Sequence, residues 1–594
     1  QVIPDGQEYA SLTAVVFAEG LNYDRHADDD ATTETTFTVA RDPNAVPTPQ
    51  PAPDPGEDPA PGEPVAPGII SPDLPTHQLP ANYAVNLTAG TDEATFQRAA
   101  AKASSLGGLV LAQYPAFGSF FVQSGSPSFV SDLGAALSEA GVSFHSVGPT
   151  RQAPVLGNEA ITPIGAEGNP VAGTADEAGA GPGAGSPVIV GGLYPPPSDN
   201  QWHLKAIGAL DAQGVDVMRA PVTVGVMADG FDHMITDLDG RVDFDKSVSC
   251  NVNGIPTGSS WMWGSTGATR GTQMAGAIAG RGVSSGVPGV NPTLSVAAIN
   301  VQSRQTGMHY PEYVVCGFVW AADHGISVTA SSFAADPWKY WMPHEPNQAA
   351  GREAMRRAID YAASKDVINV VGAGSGGIDL DNPPSTDSSS PTDAWAPYER
   401  DSWSGLTIPA MMDNVVPIST LRLADGQDPA TGTLEPARTA NWGKQTIAFA
   451  APGENVYTSL PSAAGSPGDV ARDSSMAAPV AAGVIAMLRQ VHPEMDSSQI
   501  LALARKQAGA PANWSRLASP EGEREYRGAG MPSALDAVLK DQARPVVGEV
   551  EYSTDGSTWA PLSGQTVSGR VSLRTTVTGP VTSARLLVGG QEVA

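Results

Sequence analysis

This sequence is short of cysteine, of aromatic rings and of positive charge, and it holds no long apolar run. Two cysteines, Cys250 and Cys316, occur among 594 residues. That number excludes a disulfide framework and, by itself, a metal site. One bridge in an exported protein and two buried free thiols both remain open. Lys and Arg total 33 against 62 Asp and Glu, for a net charge of -29. Such a balance argues against nucleic acid or an anionic membrane as partner, and for a soluble protein in an extracellular or salty setting. No run approaches the roughly 18 apolar residues of a membrane span, so no insertion as a helix is expected. A basic and then apolar N-terminal segment is also missing, so any export signal is expected to have been removed or to lie outside this chain.

Glycine and proline are plentiful, at 65 and 52 residues. With this length they point to several folded parts joined by linkers and turns. The most informative stretch is Arg472-Asp473-Ser474-Ser475-Met476-Ala477-Ala478-Pro479-Val480-Ala481-Ala482-Gly483, which continues into an apolar run ending at Leu488. Small residues, an apolar run without a polar face and an early proline predict a tight loop feeding a buried helix. A serine at such a start is either an N-cap or a candidate nucleophile, because the unpaired N–H groups there can stabilise a developing oxyanion.

Ser475, Met476, Ala477, Pro479, Val480 and Gly483 fall on the serine block of the subtilisin-like serine proteases, which this stretch resembles. The Gly-Thr that precedes the serine in that family is here Asp473-Ser474. The resemblance implies an aspartate at a strand end, a histidine at a helix start and an asparagine for the oxyanion. The aspartate block reads Val224-Gly225-Val226-Met227-Ala228-Asp229-Gly230, with Asp237-Leu238 and Gly240-Arg241-Val242 also in register. The aspartate position thus falls on Ala228, and Asp229, one residue later, would face the other side of a strand. The histidine block is Arg270-Gly271-Thr272 followed by the small-residue run to Gly280, which puts Arg270 where the base belongs. An arginine stays protonated and accepts no proton. At the oxyanion position stands Ser375, after Ala373-Gly374. In subtilisin itself, loss of the histidine costs on the order of a million-fold in rate and loss of the aspartate about ten-thousand-fold. His233 and His324 are the alternative bases. An ion pair of Arg270 with Asp473, or failing that with Asp229, is expected to replace the hydrogen bonds of the triad. No cofactor is implied; the loop Asp379-Leu380-Asp381-Asn382 is either a solvated acidic loop or a calcium site of the kind that family members often carry.

Around this block, alternating buried strands and helices over 201–542 predict a subtilisin-like α/β domain, a parallel sheet with helices on both faces. Ahead of it, 76–155 reads β-α-β-β-α-β and resembles the ferredoxin-like inhibitory propeptide of the same family. Residues 156–200 form a Gly/Ala/Pro-rich linker, where an active family member would be cut. A Pro-rich linker at 43–75 would reach roughly 100 Å if extended. The end segments, 1–42 and 543–594, alternate in short β-type runs and are read as partial immunoglobulin-like β-sandwich domains, as if cut from a longer surface protein.

The reading that follows is a catalytically inactive subtilisin-like domain, a pseudoprotease, in an exported multidomain protein that is extracellular or on a cell surface. Its role is structural, in assembly, or in holding a peptide by strand addition along the cleft. Partners are then other protein chains or peptide segments, self-assembly included, with no nucleic acid and no membrane insertion. The alternative is an active secreted serine endopeptidase that uses Ser475 with a non-standard base.

Overall fold

The computed structural model describes residues 68–155 and 201–541, apart from 216, 218, 266, 395, 472, 473, 521 and 523; toward the ends it describes the strands at 14–18, 31–33, 546–547, 584–588 and 591–592, and residues 549–563 and 571–578. The chain divides into two compact units. The larger comprises Ala66–Gln213 and Arg219–Val538, and the smaller Gln1–Val65, Gly214–Met218 and Leu539–Ala594.

The first part of the larger unit runs β1 (Ala81–Leu87), α1 (Glu93–Ser105), β2 (Leu109–Tyr114), β3 (Ser119–Ser124), α2 (Phe129–Glu139) and β4 (Phe144–Pro149). Asp92 starts α1 by accepting the Thr95 N–H at 2.8 Å. The sheet order is Ile69–Ile70, β4, β1, β3, β2. Ile69–Ile70 adds as an edge strand parallel to β4 and Leu74 is buried, so this part of the fold includes residues ahead of 76, the expected boundary. Alternation along β1 sorts its side chains. Tyr83, Val85 and Leu87 join Phe96, Phe129 and Leu133 of the two helices in one core, while Ala84 faces the rest of the unit.

The second part holds a sheet built from β5 (Thr223–Ala228), β6 (Ser295–Asn300), β7 (Val328–Ser331), β8 (Ile368–Gly372), β9 (Val415–Leu423) and β10 (Phe449–Pro452). Its order is Leu434–Pro436, β9, β8, β7, β5, β6, Val248–Ser249, with β10 also paired to β9. The pairings are parallel except at the Leu434–Pro436 edge. Helices cover it: α3 (Thr269–Ala279), α4 (Pro311–Asp323), α5 (Pro346–Ser364), α6 (Ala477–Val491) and α7 (Ser497–Ala508). Strands covered on both faces have no polar side to show, so they read as apolar runs. A capping box formed by Asp496 and Gln499 starts α7. The first part docks on α4 and α5: Ala84 and Phe121 share a core with Tyr313, Ala354 and Ala358, Asn86 Nδ2 donates to the Ala350 carbonyl at 2.9 Å, and Arg357 Nη1 to that of Phe117 at 2.8 Å.

In the smaller unit, Ala14–Ala18 pairs antiparallel with Ala31–Thr33 and with Ala584–Val588, which pairs with Gln591–Glu592. Strands from the two ends, read from sequence as separate partial sandwiches, therefore share one sheet. The Asp555-Gly556 turn joins short strands at Glu551–Ser553 and Ala560–Pro561, with the Asp555 carboxylate accepting the N–H groups of Ser557 and Thr558 at 2.8 and 2.7 Å.

Candidate active site

β5 is paired on both sides, so its end is held in place, and the Val301 N–H binds the Ala228 carbonyl at 2.9 Å. At the aspartate position the chain offers only the methyl of Ala228, buried at 3% exposure. Asp229 turns to the start of α3, where its Oδ1 accepts the Gly271 N–H at 2.7 Å. The N-cap residue of that helix, Ala268, has no side chain able to cap, so Asp229 supplies the cap from the neighbouring strand end. Burial pushes the Asp229 carboxyl up, opposed by the Gly271 N–H and by the positive charge of Arg270. A Cβ on Gly271 would lie 1.6 Å from the Gly230 carbonyl oxygen; only glycine allows this approach. Asp237 fastens the outer edge of the corner. It accepts the Ser284 and Ser285 N–H groups and the Ser459 hydroxyl at 2.7, 3.1 and 2.8 Å, and despite burial these donors hold its carboxyl below the usual range.

Ser475 lies in a single 3-10 turn, Ser474–Met476, that leads into α6, every residue of which is buried. A Cβ on Gly483 would come within 2.8 Å of Val290, which is the close packing that the small-residue pattern predicts. The Ser332 hydroxyl, just past β7, fixes the turn by donating to the Ser475 carbonyl at 2.7 Å. Into this geometry Arg270 extends from the first turn of α3 and its Nη1 donates to Ser475 Oγ. The structure thus brings Ala228, Asp229, Arg270 and Ser475 into one corner. The expected pair of Arg270 with Asp473 lies outside the described residues. With Asp229 the relation is electrostatic, while the carboxylate itself serves the helix start.

Ser375 follows β8 in a loop that needs a positive φ at Gly374, +91°. Asn441 holds this loop: Nδ2 donates to the Ala373 carbonyl at 2.9 Å and Oδ1 accepts the Ile378 N–H at 3.0 Å. Ser375 bridges to Ala440 and is exposed. Neither alternative base sits on the serine turn. His233 packs 5.1 Å from the Trp263 ring and 5.5 Å from that of Phe244, and His324 stacks 3.5 Å from Trp320 at the end of α4. Cys250 and Cys316 are joined in a disulfide, Cα atoms 5.8 Å apart.

The carboxylates of the 379–382 loop serve the chain itself. Asp381 accepts the N–H groups of Gln445 and Thr446 at 2.8 and 2.9 Å, and Asp379 the Asn382 amide at 2.9 Å. Among the described residues no group of three or more His, Cys, Asp and Glu side chains is placed to hold a metal. Sequence reasoning passed over Ser332, Asn441 and a buried cluster around Glu312. The last had a signal, an acidic residue next to Pro311 in an otherwise apolar helix.

The Subtilase family model matches residues 219–530. Fervidolysin of Fervidobacterium pennivorans is 27% identical over 324 residues, which cover 52% of this chain and 40% of that protein. The match thus spans less than half of fervidolysin's length. Subtilisin DY of Bacillus licheniformis is 24% identical over 301 residues, covering 50% of this chain and 88% of its own. Among solved structures, the epidermin leader peptide processing serine protease of Staphylococcus aureus superposes with a TM-score of 0.52 at 17% identity, over 78% of this chain and 99% of that one. That likeness is one of fold.

Proposed function

The chain belongs to the subtilase family, and from that premise we propose that its subtilase domain is a pseudoprotease, which holds peptide or protein segments without cutting them. The observation that carries this reading is the hydrogen bond from Arg270 Nη1 to Ser475 Oγ. A guanidinium has no lone pair and stays charged at any accessible pH, so it can hold the hydroxyl but cannot take its proton. The methyl of Ala228 has nothing to orient, and Asp229 is committed to the start of α3. A serine without a base is left near background rate. The names of the relatives describe proteases, so the rival reading is an active endopeptidase. It needs a base, and the two candidate histidines are packed against aromatic rings.

The wider setting belongs to the same proposal. The first part of the larger unit, with its β-α-β-β-α-β order, is a propeptide-like, ferredoxin-like domain that stays docked, and the ends belong to immunoglobulin-like sandwiches. A protein with this acidic charge and a Cys250–Cys316 bridge suits an oxidising, extracellular or cell-surface location. A fluorophosphonate probe tests the reading. No labelling of Ser475 above a Ser475→Ala control is expected; stoichiometric labelling, or peptide hydrolysis that disappears in the control, would overturn it.

A further inference from the structure

The residues that leave β4, Thr150-Arg151-Gln152-Ala153, run over the start of α4. Arg151 is 2% exposed and Glu312 0%. Arg151 Nη2 donates to Glu312 Oε1 and, at 3.2 Å, to the Tyr313 hydroxyl; its guanidinium carbon lies 3.9 Å from the centre of the Tyr310 ring. Asn82 Nδ2 holds the same Glu312 oxygen at 2.8 Å. The next two residues present their backbone: the N–H groups of Gln152 and Ala153 both reach Asp393 Oδ2, at 2.8 and 3.1 Å. Tyr310, Glu312, Tyr313 and Asp393 together read one arginine side chain and the two amides that follow it.

This cluster has more capacity than its present occupant uses. Glu312 Oε2 and Asp393 Oδ1 are buried with no hydrogen-bond partner among the described residues, and Asp336 adds a further negative charge beside Asp393. Carboxylate oxygens beside two phenol rings suit a planar, weakly hydrated cation that stacks and donates in several directions at once, which an ammonium cannot do.

We infer that this pocket is a recognition site for an arginine-bearing peptide strand, filled in cis by residues 150–153 and available to a second peptide when that tail is drawn out. The inference rests on the reading of the domain as one that holds peptides, although the pocket itself needs no nucleophile. Its ligand is an arginine followed by two residues other than proline, since proline has no N–H for Asp393. A tethered tail acts at an effective concentration of about millimolar, so a peptide in trans competes poorly with it in the unsubstituted chain.

The test titrates a fluorescein-labelled peptide, Thr-Arg-Gln-Ala-Pro-Val amide, into the full chain carrying Arg151→Ala and follows anisotropy. Binding at least tenfold tighter than to the unsubstituted chain is expected. It should fall at least tenfold when the peptide arginine is alanine, or when Glu312→Gln is added. Equal binding of the arginine and alanine peptides, or none, overturns the inference and leaves an internal docking contact. Should Arg151→Ala not fold, hydrogen exchange of the Gln152 and Ala153 amides is followed in the unsubstituted chain with millimolar peptide. Faster exchange with the arginine peptide alone supports the site, and no difference between the two overturns it. Fluorophosphonate labelling of the same samples separates the two readings: a labelled Ser475 ends the inactivity reading and leaves arginine-dependent binding standing.

Discussion

Two arginines in this molecule do opposite things with the same side chain. Arg270 is half-buried in the cleft, where a partner is a neutral hydroxyl. Arg151 is enclosed at the seam between the two parts of the larger unit, against a buried carboxylate and two phenol rings. In the cleft, permanent charge is what keeps Arg270 from serving as a base, because a general base must be able to take up a proton. At the seam, permanent charge is what makes the contact durable, because a buried carboxylate pays heavily for an absent partner. The difference lies in what each guanidinium meets, a hydroxyl at one and a buried carboxylate at the other.

The largest expected effect would break the contrast at the cleft. Arg270→His with Ala228→Asp restores a base and its orienting carboxylate, and the fluorophosphonate labelling rate of Ser475 should rise on the order of a thousand-fold. The full gain of a triad is not expected, because a serine at position 375 still forgoes about 100- to 1,000-fold. An unchanged rate would mean that the corner is out of productive geometry and that these two side chains do not set the rate. Next in size, Glu312→Ala removes the carboxylate hydrogen-bonded to the buried Arg151 and should cost about 3–5 kcal/mol in denaturant unfolding of the full chain. Arg270→Ala, which removes the half-buried donor to Ser475 Oγ, should stay within about 1.5 kcal/mol; similar losses at both sites would erase the comparison. Asp229→Ala uncaps α3 and is expected to cost about 1 kcal/mol, read as a lower melting temperature.

The smallest effect is one of pH and belongs to the seam. Burial pushes the Asp393 carboxyl up to about 6 from its ordinary 3.8, against the N–H groups of Gln152 and Ala153 and the Arg151 charge. Folding therefore takes up a proton between about pH 4 and about pH 6, so the contribution is present below that window and is lost as pH rises through it. Asp393→Asn resembles the protonated form. Its melting temperature relative to the parent should be more favourable at pH 7 than at pH 4.5, and a pH-independent difference would mean that Asp393 titrates normally.

Much of this was legible in the sequence. The alternation of buried strands and helices over 201–542 follows from apolar runs and small-residue spacing, because a parallel sheet covered on both faces admits little else. The displacement of Asp229 from the aspartate position was also legible, from alternation on a strand. What Asp229 does instead was not, because a cap lent by a neighbouring strand leaves no mark within 269–279. The edge strand Ile69–Ile70 was missed for a similar reason: two apolar residues in a proline-rich stretch carry no periodicity, and only β4 beside them makes a strand.

By itself the sequence determined which groups are chemically able to act: a hydroxyl at 475, a methyl at 228, and at 270 a cation that cannot release its proton. Those are properties of residue types, and they hold wherever the residues lie. Only the tertiary structure decided which distant groups meet. Arg151 and Glu312 are 161 positions apart, and Arg270 and Ser475 are 205 apart. A hydrogen bond or a buried ion pair exists only when the fold brings its two atoms within about 3 Å, and local sequence pattern does not encode that distance.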